Sequence, residues 1–285
     1  MDLHIIAACA ERKRESPSRA VSMRAVRATS FDARFADWSK RMRNADLPTT
    51  AAEELYVGEY WRAIRELPGV ASEHGFVAKL LIASAGYGLV QSAAPVHTYA
   101  ATFSRDHEDS ILPPRTVHAS NWYRSWWGAL AQERLAGKAT TTLRSIARAT
   151  PATNILIVAS PAYVSAMHDD IQSALELLTG QLIIITSRAS GVPLLAPYVV
   201  NSTARLQASL GGSLLSLHAR AAREVLGAFE PKDARRVLAR HERDRPALTR
   251  QRLSDAQVKA FIKRSKARGE RRVEHQRKNA DRRAG

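Results

Sequence analysis

NILIVASPAYVSAMHDDIQSALELLTGQLIIIT, residues 154–186, carries the pattern that decides the fold class. Two short apolar runs, Asn154–Ala159 and Gln181–Thr186, are nearly continuous rather than alternating, as befits strands covered on both faces. Between them Met167, Ile171, Ala174, Leu175 and Leu178 recur at helical spacing and predict a helix over Tyr163–Leu178. Strand, helix and strand of these lengths form a βαβ unit, whose crossover is right-handed by default. Two further runs of the same kind, Leu3–Ala8 (LHIIAA) and Lys79–Ala83 (KLLIA), extend the sheet. The expected fold is α/β: an open, mostly parallel sheet flanked by helices.

Other helices follow from the same periodicity. Residues 51–66 place Leu55, Tyr60 and Ile64 near one face, with Gly58 a weak point. Residues 120–135 repeat large apolar groups, with Ser120 a candidate N-cap. The segment Ser202–Phe229 reads as helix interrupted by Gly211–Gly212, with Ser213 capping its second half. The Ser/Arg-rich stretch 14–34 reads as an active-site loop leading into a helix around Phe31–Met42.

Composition narrows the class. A chain of 285 residues with 45% hydrophobic content can bury a sizeable core. Its single cysteine excludes an intramolecular disulfide and a four-thiolate metal site, in keeping with a reducing cytoplasm. No apolar run reaches membrane-spanning length, and the apolar start precedes the charges, opposite to a secretory signal. Charge is concentrated: residues 231–285 hold 19 Lys or Arg against 7 Asp or Glu, net +12, whereas residues 1–230 hold 24 against 20. The expected organisation is a core domain over 1–230 and a basic extension over 231–285, disordered after about 264 because that segment is nearly all polar. Such a charge run attracts polyanions and makes nucleic acid, DNA above all, the expected partner, through Arg264, Lys266, Arg268, Arg271 and Arg272. A soluble basic tail is the bland alternative.

Loops beyond the carboxyl ends of parallel strands build the ligand crevice in open α/β sheets. Here those positions are Cys9, Ser84, Ser160 and Ser187. Cys9 is followed within four residues by Arg12 and Lys13, and neighbouring cations favour a thiolate able to attack a carbonyl or nitrile carbon. Arg12 is a phosphate contact in this reading and Lys13 a proton donor; a buried structural cysteine is the alternative. Ser84-Ala85-Gly86-Tyr87-Gly88 can form a turn whose exposed backbone N–H groups hold an anion, with Tyr87 stacking or donating a proton. It is neither G-x-G-x-x-G nor a P-loop, so no nucleotide cofactor is expected. His97, His107, Glu108 and Asp109 lie in a long loop, do not match zinc-ligand spacing, and give no expectation of a metal. Tyr163, Ser187 and Arg188 complete the crevice candidates, Arg188 as a phosphate contact. Trp122, Tyr123, Trp126 and Trp127 read as core packing, with a base-stacking wall as the alternative.

Taken in order, AACAERKR (7–14), ELYVGEYW (54–61), LLIASAGYGLV (80–90) and PVHTYAATF (95–103) with the trailing EDSI resemble an uncharacterised bacterial and phage family. That family carries C-[ST]-x-x-K and LSAKYGL-type elements and is similar to the YaaA-like group, some members of which are associated with 7-deazaguanine modification of DNA. The ordered similarity spans residues 1–110, with weaker likeness through 155–225. It implies roles for Cys9, Lys13, Ser84, Tyr87, Gly88, Tyr99 and Asp109, and a reaction converting the nitrile group of the base to an amide. Two departures stand out: Ala10 replaces a small hydroxyl residue, and Gly86 replaces the lysine of S-A-K-Y-G. The expectation is thus a hydrolase or lyase acting on a base in DNA, with Cys9, Lys13, Tyr87 and Asp109 catalytic. Arg12, Ser84, Gly86, Gly88, Tyr99, Ser160, Tyr163, Ser187 and Arg188 would contact substrate, and partner proteins of a modification system would accompany it. The competing expectations are a non-catalytic DNA- or RNA-binding protein in defence or stress response, and an enzyme on a free nucleoside or nucleotide.

Overall fold

Asp2–Ala8 forms the first strand, β1, buried without interruption from Ile5 to Ala8. In the computed structural model, which describes residues 1–187 and 193–243, eight more strands follow. They are β2 (Thr49–Ala51), β3 (Val77–Ser84), β4 (Gly88–Gln91), β5 (Pro95–His97), β6 (Thr140–Thr141), β7 (Asn154–Val158), β8 (Leu182–Thr186) and β9 (Val199–Asn201). Seven form one sheet in the order β6-β4-β3-β1-β7-β8-β9, and β2 pairs with β5 separately. Strands β3, β1, β7, β8 and β9 run parallel, while β4 is antiparallel to β3. The sheet is therefore mixed and largely parallel. The four apolar runs named from sequence supply β1, β3, β7 and β8, its central strands. The short strands β4, β6 and β9 escaped the sequence reading because two to four residues carry too little periodicity.

Helices cover the sheet in two groups. Glu59–Glu73 packs on β1 and β3 and against Leu217–Val225, which lies on β7 and β8. Phe31–Arg43, Ala119–Glu133 and Pro161–Ala166 pack in series, and Leu143–Ala149 packs on His168–Leu175. Several boundaries differ from expectation for local reasons. The helix expected over 51–66 is two: Ala52–Leu55 ends at the extended Tyr56, and Gly58 at φ +107° begins a separate helix. The helix expected over Tyr163–Leu178 breaks at Met167. His118 rather than Ser120 precedes Ala119–Glu133, and Ser216 rather than Ser213 precedes Leu217–Val225. Helix Pro231–Arg243, assigned by composition to the basic extension, packs on β9 and on Leu217–Val225 through buried Ala234 and Leu238. Its Arg235 Nε donates to Val199 O at 3.0 Å, so the folded unit passes the boundary expected at 230.

Two arginines organise the stretch before Phe31. Buried Arg34 spends its guanidinium on the carbonyls of Ile111, Val26, Ala28 and Ser110. Burial also lowers its pKa from the usual value. Arg24 grips Asp109 with side-chain and backbone donors. The loop over 14–34 is thereby tied to residues 109–111, and Val21 and Met23 enter the core.

A third polar knot joins the two helices of the first group. The Glu59 carboxylate accepts from Ser213 N–H at 3.1 Å, from Ser216 Oγ at 2.9 Å and from Arg220 Nη2 at 3.2 Å. These donors, the Ser213 backbone first, hold its pKa at about 2 instead of the usual 4.5. A carboxyl depressed in the folded state stabilises above its unfolded value and loses that contribution as pH falls toward the folded one. Wild-type protein should accordingly lose stability between about pH 4.5 and 2 through this group. Glu59→Gln should show a shallower acid limb over that window in urea titrations at successive pH values.

Candidate active site

Parallel pairing sets the site's frame. Ala8 lies opposite Ala83, Ala7 opposite Val158, Val158 opposite Ile185, and Thr186 opposite Asn201. Carrying each register one or two residues onward puts Ser84, Cys9, Ser160, Ser187 and Ser202 in one row along the carboxyl rim of five parallel strands. Ladder bonds continue to support that row: Cys9 N–H to Ala83 O at 2.8 Å, Ala159 N–H to Ile185 O at 3.1 Å, and Ser202 N–H to Thr186 O at 2.9 Å. Four of the five were singled out from sequence. Ser202 was missed, because β9 has no recognisable apolar run.

Cys9 is half-buried and ringed by phenols. Tyr163 Oη lies 3.0 Å from its Sγ, and Tyr99 Oη donates to the sulfur at 3.6 Å. Tyr99 also meets Ser84 Oγ at 2.6 Å and Tyr56 Oη at 3.0 Å. Tyr60 reaches over the rim to donate to Ala8 O at 3.1 Å and Val158 O at 3.3 Å. With Tyr87, whose ring meets Tyr99 edge-on at 5.3 Å, five of the chain's seven tyrosines gather here. Burial, then the charge on Cys9, raises the pKa of Tyr99, Tyr163 and Tyr60, so all three keep their protons at neutral pH. Tyr56 and Tyr60 are the members that sequence reasoning overlooked; both lie within ELYVGEYW, read as helix and as part of the resemblance with no site role for either tyrosine.

Lys13 stands over two of these rings. Its Nζ sits 4.8 Å from the Tyr99 ring centroid and 5.8 Å from that of Tyr56, an arrangement in which ring faces attract the cation. Burial lowers its pKa, while Cys9, Glu11 and Asp109 pull the other way. The loop's shape comes from backbone bonds: Arg14 N–H to Leu55 O at 2.9 Å and Val57 N–H to Arg12 O at 3.1 Å. His107 Nδ1 accepts from Asp109 N–H, which leaves the ring proton on Nε2 to donate to Glu11 Oε1 at 3.0 Å.

Other expected site residues take different places. Ser84 is sealed from solvent, and the anion nest expected around Gly86 is filled by the protein itself: the N–H groups of Gly86 and Tyr87 both donate to Ser84 Oγ. Gly88, at φ +80°, serves the turn into β4. The Tyr87 hydroxyl accepts from His97 N–H at 2.9 Å, its ring meets that of Tyr99 edge-on, and it makes no hydrogen bond to Cys9 among the described residues. Asp109, 2% exposed, is neutralised by Arg24 and acts at a distance on Lys13. Arg12 and Ser187 are exposed, and Ser160 is half-buried. Arg188 and the basic residues Arg264, Lys266, Arg268, Arg271 and Arg272 lie outside the described residues. Trp126 and Trp127 are buried, and Trp122 packs on Phe31, so this cluster is core and not a stacking wall. His218 is paired with Ser202 and its pKa is lowered by burial. Among the described residues no group of His, Cys, Asp and Glu side chains is placed to hold a metal ion.

Gly86 has a specific reason. A Cβ there would stand 2.5 Å from Tyr99 Cε2 and 3.0 Å from Trp38 Cζ2. The carbonyls of this turn are fixed by buried indoles, Trp38 Nε1 to Gly86 O at 3.1 Å and Trp126 Nε1 to Ala85 O at 2.9 Å. A lysine at this position would displace the Tyr99 ring. Gly86→Ala should destabilise the fold by about 1–3 kcal/mol, an overpacking cost, seen as a lower midpoint in denaturant.

No family model, no curated protein and no solved structure matches this chain.

Proposed function

We propose that the protein is a cysteine-nucleophile enzyme acting on a base in DNA, converting the nitrile side group of a 7-deazaguanine to an amide. The observation that carries this reading is the setting of Cys9 Sγ, 3.0 Å from the Tyr163 hydroxyl and 3.6 Å from that of Tyr99, with the Lys13 ammonium over the Tyr99 ring. Protonated phenols beside a sulfur both stabilise a thiolate and stand ready to protonate what it attacks. In the reaction the sulfur forms a bond to the nitrile carbon, one π-bond breaks, and the nitrogen takes a proton from Tyr163 or Lys13. Water then adds to the same carbon, one of its protons passing to the nitrogen and the other back to Tyr163 or Lys13, as the carbon–sulfur bond breaks and the thiolate leaves an amide. Nitrile and water are consumed and amide formed, so no oxidant, reductant or cofactor is needed.

A base in duplex DNA must leave the stack to reach such a site. The net charge of +12 over residues 231–285 supports nucleic acid as the partner, because cations near phosphates release counterions. The same charge also fits a non-catalytic nucleic-acid-binding role, and turnover separates the two. No helix among the described residues is long and apolar enough to cross a membrane.

With DNA carrying the nitrile-bearing base, Cys9→Ala should lose at least about 10³-fold in turnover. Equal rates for wild type and variant would eliminate the covalent step. Deleting residues 264–285 should weaken DNA binding and flatten the slope of log affinity against log salt, by about 0.9 for each phosphate that the shortened chain no longer neutralises. An unaltered slope would remove the tail from the interface.

A further inference from the structure

We infer that Ser84 is a positioning residue, which directs the Tyr99 phenol proton onto Cys9 without touching substrate; this rests on the reading of Cys9 as the nucleophile. A serine hydroxyl has two acceptor sites and one proton. Gly86 N–H at 3.1 Å and Tyr87 N–H at 3.0 Å fill both acceptor sites of Ser84 Oγ. Its own proton is therefore given away, and the hydroxyl in hydrogen-bond geometry with it is Tyr99 Oη at 2.6 Å. Tyr99 cannot donate back, since Ser84 has no site left to accept. Tyr99 Oη, at 3.0 Å, is the one acceptor within reach of the buried Tyr56 phenol among the described residues, which assigns Tyr56 as the donor of that bond. With two donors on its oxygen, Tyr99 has one proton and one remaining acceptor in reach, Cys9 Sγ at 3.6 Å.

This is the arrangement in which each buried hydroxyl donates once, and turning Tyr99 away would strand a proton in the core. Chained bonds of this kind polarise one another, so the donor facing sulfur is strengthened by the serine behind it. Ser84 itself is fully buried, which removes it from the substrate contacts and leaves it this role. The turn exists to hold it: Gly86 makes room for the Tyr99 ring, and both N–H groups of the turn close on the serine oxygen.

The single cysteine makes the test direct, because alkylation of the full-length protein by iodoacetamide adds one mass increment at one position. At fixed neutral pH, Tyr99→Phe should slow alkylation about fivefold and Ser84→Ala about threefold, through loss of a charge-assisted hydrogen bond to the attacking sulfur. The double variant should be no slower than Tyr99→Phe alone, since a residue acting through Tyr99 has nothing to act on once the phenol is gone. Effects that multiply in the double variant, or a Ser84→Ala rate equal to wild type, would overturn the assignment. Should Ser84→Ala fail to fold, Ser84→Thr keeps the hydroxyl and must retain the wild-type rate. A fivefold slowing in that variant, with a native near-ultraviolet circular dichroism spectrum, would count equally against the proposal. Cys9→Ala turnover on nitrile-bearing DNA judges the nucleophile separately, because the alkylation cycle requires no substrate.

Discussion

Strand β1 is held between two parallel partners, β3 and β7, and nearly everything else about the site is a consequence of that pairing. Parallel strands share one direction, so their carboxyl ends finish together and the loops that follow them open on one side. A register in which Ala8 faces Ala83 and Ala7 faces Val158 leaves Cys9 no choice of neighbours: Ser84 lies to one side and Ser160 to the other. Shifting β1 by one residue would carry the thiol away from its place between β3 and β7, so the pairing that secures the core also secures the position of Cys9.

The rim tolerates so many polar groups because almost all of them are satisfied by one another. Buried indoles close the carbonyls of the turn at Ala85 and Gly86, Arg34 gathers four carbonyls, and Arg24 neutralises Asp109. Buried polar networks of this kind are costly when incomplete and rigid when complete. Among the described residues Thr186 Oγ1, buried at the end of β8, stands outside this pairing, while around the thiol the phenols of Tyr99 and Tyr163 face the sulfur of Cys9 and the ammonium of Lys13 lies over aromatic rings. The geometry around the thiol is thus maintained from behind, by groups shielded from solvent.

Gly86 illustrates how packing alone can dictate a residue beside the site. The S-A-K-Y-G pattern expected from the resemblance has a lysine at this position. In this chain the space a side chain would need at position 86 is occupied by the Tyr99 ring, and a lysine from a different element, Lys13, brings its ammonium to the face of that same ring.

Sequence alone determined the α/β class, the four central strands and four members of the polar rim, because burial on both faces writes a continuous apolar run and a strand's end is marked by the first small or polar residue. It also identified Cys9, Lys13 and Tyr163 as candidates. What it left undecided was which polar groups meet. Tyr56 and Tyr60 were read as part of a helix, Tyr87 and Asp109 as catalytic, and the Ser84 turn as an open anion nest, since spacing along the chain says nothing about partners 43, 85 or 154 residues away. Those meetings are made by tertiary packing: the loop at Gly58, the grip of Arg24 on Asp109 and the ring of Tyr99 against Gly86 bring distant segments to one thiol. A hydrogen bond depends on distance and direction in space, and only the folded chain defines either.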